Sequence, residues 1–159
     1  MQSKAKILGH PAHPILIVFP LGLLSTAVVF DIIYLVTGSP NFVTVSYWMI
    51  AAGILGGLIA APFGLKDWMA IPPNTRAKYV GLMHGAGNVV VLLLFIGSWW
   101  LRRNIDFPGP WAFVLSFAGF ALVLITGWLG GELVDRLGVG VDDDADLNAP
   151  SSLSKRLTQ

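Results

Sequence analysis

Four apolar stretches, roughly residues 14–37, 45–66, 79–101 and 111–134, constrain this chain more than any other feature. Each approaches the roughly 20 residues, at about 1.5 Å rise apiece, that carry an α-helix across the hydrocarbon core of a bilayer. Backbone polar groups must be satisfied within the segment there, so helices are expected. Composition agrees, since 55% of the 159 residues are hydrophobic and 12% charged, where a soluble domain has about a quarter charged. Gly38-Ser39-Pro40-Asn41, Ile71-Pro72-Pro73-Asn74 and Phe107-Pro108-Gly109-Pro110 separate the stretches, and such short breaks make sequential helices antiparallel neighbours. The predicted fold is all-α, an integral membrane four-helix bundle of up-down-up-down topology. Residues 1–13 precede the bundle, 14–137 form it, and 138–159 read as a disordered tail. The run Asp142-Asp143-Asp144-Ala145-Asp146 lacks the spacing of a calcium loop.

Lys4, Lys6, Lys66, Arg76, Lys78, Arg136, Lys155 and Arg156 fall on one side of the membrane and only Arg102 and Arg103 on the other. An excess of Lys and Arg marks the cytoplasmic side, so both termini are expected there. No small-residue cleavage site follows a short apolar core near the amino terminus, and the first span is expected to stay attached. Trp48, Trp68, Trp99, Trp100, Trp111 and Trp128 sit near predicted helix ends, as interfacial anchors do. A formal net charge of +1 points to neither nucleic acid nor an acidic substrate.

Small residues recur at helical spacing as Gly53 with Gly57, Gly81 with Gly85, and Gly127 with Gly131. Such pairs let helices approach closely, within the chain or in a homodimer, or give clearance to a flat cofactor. Gly53 and Gly64 are spaced like Gly119 and Gly130, each set followed by a carboxylate, Asp67 or Glu132. Helices one and three also both carry histidine at the same end. The pattern suggests two parallel helical-hairpin repeats about an axis along the membrane normal.

With no cysteine, thiolate metal sites, iron–sulfur ligation, disulfides and c-type haem attachment are excluded in this chain. Chemistry must come from imidazole and carboxylate. Gly9-His10-Pro11-Ala12-His13-Pro14 holds two histidines at a helix mouth, where Pro14 suits the first turn. His84 lies about 9 Å and Glu132 about 6 Å along their helices from the same surface. Asp67 closes helix two there, and Asn88 stands one turn from His84. His10, His13 and His84 are the candidate ligands, Glu132 and Asp67 further ligands or outer partners, and Asn88, Trp68 and Trp128 surrounding residues. The donor set suits iron, zinc or copper, or haem b with His84 and one of His10 and His13 as axial ligands. The competing reading is structural: histidines that satisfy helix ends, and Glu132 paired with Lys66 or Arg136. Asp31, about 26 Å along helix one, belongs to the opposite end as a structural partner of Arg102 or Arg103, and Asp31→Asn is expected to have only a modest effect on stability.

The same motifs, with Phe19-Pro20-Leu21-Gly22, Phe30-Asp31, Ala60-Ala61-Pro62-Phe63-Gly64-Leu65-Lys66-Asp67-Trp68, His84-Gly85, and Gly127-Trp128-Leu129-Gly130-Gly131-Glu132-Leu133-Val134, carry a resemblance over residues 9–141. The chain resembles a bacterial family of predicted inner-membrane proteins, domain of unknown function twenty-two thirty-one. The family name implies no activity; some members look joined or adjacent to Rieske-type iron–sulfur proteins, which implies a redox setting by association only. The expectation is a multi-pass inner-membrane protein, not an enzyme on its own, whose metal or haem serves electron transfer. The alternatives are a scaffold or partner subunit with purely structural histidines, or a small metal or proton transporter.

Overall fold

The computed structural model describes residues 1–103 and 108–154. Phe107, in the third expected break, and the basic residues Lys155 and Arg156 lie outside the described residues. The chain opens with a small antiparallel hairpin, β1 (Lys6–Ile7) and β2 (His10–Pro11). Leu8 and Gly9 turn it with φ of 50° and 86°, the positive values that a two-residue hairpin loop requires. Five helices follow: α1 (Ala12–Leu16), α2 (Val18–Thr37), α3 (Pro40–Ala70), α4 (Arg76–Leu101) and α5 (Pro110–Gly131). The last runs on into a π-helical turn, Glu132–Arg136. With α1 and α2 taken together, four helical segments among the described residues are long and apolar enough to cross a membrane.

Local chemistry sets the boundaries. Pro20 has no N–H to offer the Leu16 carbonyl, so the first span is interrupted between Leu16 and Val18. The bonds from Ile17 N–H to His13 O and from Leu21 N–H to Ile17 O, both 3.0 Å, keep its two parts joined. Gly38 closes α2 in the left-handed conformation, φ 69°, with its N–H on Tyr34 O. Pro40 then fits the first turn of α3, where the sequence reading had a break, so this helix starts earlier than expected. It also continues through Pro62 to Ala70. Thr75 caps α4 by accepting a hydrogen bond from Lys78 N–H at 3.1 Å.

Helix α2 packs chiefly on α3 and α4 on α5, giving two hairpins whose facing surfaces form the core. That core contains Leu24, Ala27, Val28, Ile50, Ile54, Val91, Phe95 and Val123. The duplication suggested by the glycines is visible in the contacts. Leu24 lies over Gly53, and Phe95 lies over Gly119. Gly57 receives Leu92 and Gly81 receives Trp68, so these small residues serve close packing inside the chain, whereas Gly85, Gly127 and Gly131 face open space. Large apolar side chains such as Phe19, Leu58, Leu93 and Leu124 point outward, as lipid-facing positions require. Trp48, Trp100, Trp111 and Trp128 are exposed with them. Trp99 instead is half-buried and stacks on Tyr47, and the Trp68 indole N–H donates to Lys78 O at 3.1 Å.

Candidate functional site

Polar side chains gather at the two ends of the bundle and differ in kind. At one end, Asp31 of α2 and Arg102, at the end of α4, form a two-pronged ion pair with N–O distances of 2.7 and 2.6 Å. Both side chains are 0% exposed. The Asp31 carboxylate also accepts from Ser46 Oγ at 2.6 Å and Ser116 Oγ at 2.7 Å. Arg102 Nε donates to Ser98 Oγ at 3.2 Å, and its guanidinium lies over the Phe113 ring. A buried ion pair stands only when its remaining donors and acceptors are filled, and three serines fill them here. Arg102, not Arg103, is therefore the partner of Asp31; Arg103 lies over Trp100.

The other end holds the histidines. His13 comes from α1, and its Nδ1–H donates to the main-chain carbonyl of Ala60 on α3 at 3.0 Å. His84 comes from α4, and its Nδ1–H donates to the carbonyl of Thr126 on α5 at 2.9 Å. A carbonyl can only accept, so both rings carry their proton on Nδ1. Each ring rests on a glycine one turn beyond that carbonyl: a methyl group on Gly64 would meet the His13 ring at 2.8 Å, and one on Gly130 the His84 ring at 3.1 Å. The two imidazoles face one another with centroids 6.3 Å apart and planes at 87°. Asn88 Nδ2–H reaches His84 Nε2 at 3.2 Å while also donating to the His84 carbonyl at 2.9 Å.

Of the five candidate ligands, His13 and His84 come together and the others are engaged elsewhere. His10, on β2, is exposed and meets Ser152 Oγ at 3.2 Å. Asp67 accepts from Ser3 Oγ, from Lys4 N–H at 2.7 Å and from Ala5 N–H at 3.3 Å, folding the first residues of the chain onto the end of α3. Glu132 pairs with Arg76 at 2.6 Å, rather than with Lys66 or Arg136. Trp68 lies under the Lys78 ammonium, and Trp128 is exposed on α5. Among the described residues, no three His, Asp or Glu side chains gather closely enough to share one metal ion. The described part of the carboxy-terminal segment bonds to the amino-terminal one: Gln2 Nε2 and Lys6 Nζ both reach the Asp142 carboxylate, and Ser152 Oγ donates to Leu8 O.

The ring seats, Ala60 with Gly64 and Thr126 with Gly130, were not among the residues expected at this site. The signal for them was the matched spacing of Gly64 and Gly130 within the repeat. The bonding groups are main-chain carbonyls, which no residue type labels.

A family model described as a predicted membrane protein, DUF2231, matches residues 9–143. The chain belongs to the DUF2231 family. The matched residues of this DUF2231 protein take in both polar ends, from the His10 turn through the Glu132–Arg136 turn. No curated protein and no solved structure matches it.

Proposed function

We propose that this protein is a small electron carrier of the bacterial inner membrane in which His13 and His84 hold one redox centre, a transition metal ion or the iron of haem b. The observation that carries this reading is the common posture of the two rings. Each commits Nδ1–H to a helix carbonyl, which fixes the tautomer and puts the lone pair on Nε2, as in metal-bound imidazoles, although the Nε2 of His84 accepts from Asn88 Nδ2–H and would give up that bond to a metal. A centroid separation of 6.3 Å is of the size spanned by one metal bonded to two imidazole nitrogens at about 2.0–2.1 Å each. His13 and His84 would hold the iron of haem b or, with water or carbonyl oxygens beside them, an iron or copper ion, whereas zinc, which has no redox chemistry, would make only a structural centre. Haem or a redox-active ion supplies one-electron chemistry when bound. The chain's own part is to orient the imidazoles through Ala60 and Thr126 and to hold the hairpins together around them.

The charge asymmetry supports a cytoplasmic position for this end, where a Rieske-type iron–sulfur protein is the class of redox partner that the family resemblance suggests. We assign the chain no catalysis of its own. A second reading is favoured by one observation, the Asn88 amide on His84 Nε2: in it the histidines only tie helices together, and the protein is a scaffold or partner subunit. A metal or proton transporter would need a polar route between the ends, and the core between them is the apolar set around Phe95 and Val91.

Metal analysis and an optical spectrum of the protein in mild detergent separate these readings. A Soret band with sharpened bands on reduction identifies haem, stoichiometric metal without that band identifies a bare ion, and neither establishes the structural tie.

A further inference from the structure

The first helices of the two hairpins correspond with an offset of 71 residues, the separation of Asp31 from Arg102 and equally of His13 from His84. The second helices correspond with an offset of 66, which relates Gly53, Ala60 and Gly64 to Gly119, Thr126 and Gly130. Asp31 therefore touches its own equivalent, and so does His13. A contact between equivalent positions lies on the axis that relates the halves.

Much of the interface would suit either hairpin. Leu24 over Gly53 repeats as Phe95 over Gly119, and His13 over Gly64 repeats as His84 over Gly130. The charges would not. Two amino-terminal hairpins brought together about this axis would oppose Asp31 to Asp31, and two carboxy-terminal ones Arg102 to Arg102, at positions that are 0% exposed. An uncompensated buried charge is strongly unfavourable, and rejecting a wrong partner this way is a recognised source of specificity.

We propose that the Asp31–Arg102 pair selects the pairing of the hairpins, so that an amino-terminal hairpin accepts a carboxy-terminal one, from its own chain or a second copy, and like hairpins are excluded. The serines reinforce the choice. Ser46, Ser98 and Ser116 have Ala112, Ala27 and Ile50 at the corresponding places, so the polar cradle is built for an acid on α2 and a base at the end of α4. The inference does not depend on any group bound at the histidine end.

The test uses full-length chains: Asp31→Arg, Arg102→Asp, the exchanged double variant, and the two single variants co-expressed with different tags. Each single variant is expected to lose the wild-type elution profile in detergent and to melt about 10 °C lower. The double variant is expected to recover the wild-type profile and to melt above both single variants, though below the wild type because the serines are placed for an acid on α2 and a base at the end of α4. The co-expressed chains are expected to co-purify as a mixed dimer that exchanges hairpins, since each then supplies the charge the other lacks. Single variants with a wild-type profile and melting temperature, or a double variant as perturbed as the singles, would overturn the proposal. Should the singles be degraded, the double variant still decides.

Discussion

A methyl group separates a seat for an imidazole from a clash at Gly64 and Gly130. A Cβ at Gly64 would sit 2.8 Å from the His13 ring, and the ring cannot yield without losing its bond to Ala60 O. Overpacking of this kind costs about 1–3 kcal/mol. Gly64→Ala is expected to lower the melting temperature and displace His13. Gly130→Ala, meeting the His84 ring at 3.1 Å, is expected to cost less, and Gly127→Ala, with open space around it, almost nothing. The order Gly64, Gly130, Gly127 in thermal melts checks the assignment, and equal effects at all three would contradict it. The histidines themselves were legible because few ionisable residues occur in such apolar stretches. Their seats were not, because the reach of His13 to the carbonyl of Ala60, 47 residues on, depends on how the hairpins pack.

Single groups also decide where elements begin and which ones join. Pro20 interrupts the first span by leaving the Leu16 carbonyl without its helical partner, and Pro40 begins α3 because its missing N–H lies in a turn that has no use for one. Proline alone gives no sign of which role it plays, which is why the sequence reading put a break at Pro40 and none at Leu16. Between elements, the link from α2 to the end of α4 is stronger than the sequence suggested. Asp31 was expected to be a structural partner of Arg102 or Arg103 whose loss has a modest effect; it does pair with Arg102, fully buried, with four hydrogen-bonding contacts to Arg102, Ser46 and Ser116. Asp31→Asn leaves the Arg102 charge buried and uncompensated, which costs about 3–5 kcal/mol. Chemical or thermal unfolding in detergent should register that loss, and a change within about 0.5 kcal/mol would show that the pair is not buried as described.

At the scale of the molecule, the number of spans, the all-α class and the antiparallel order of neighbours were legible, because length and hydropathy alone determine them. The halving into two related hairpins was faintly legible through Gly53, Gly64, Gly119 and Gly130, and it is this repeat that puts His13 against His84 and Asp31 against Arg102. Asp67, Glu132 and His10 were expected to converge on His13 and His84, and the separate partners they take at that end were not foreseeable. Similar depth along a helix does not fix the direction of a side chain, and each found a nearer partner in Ser3, Arg76 or Ser152. His13 and His84 are the pair that the two hairpins bring together, and the proposed redox centre rests on them. The most direct measurement is the metal and haem content of the wild type, His13→Ala, His84→Ala and the double variant, purified in the same detergent. Ligands of one centre act as a unit, so each single change is expected to remove nearly all of the bound group and the double change to remove little more. Full occupancy in the double variant, or no bound group in the wild type, would contradict a shared centre at His13 and His84.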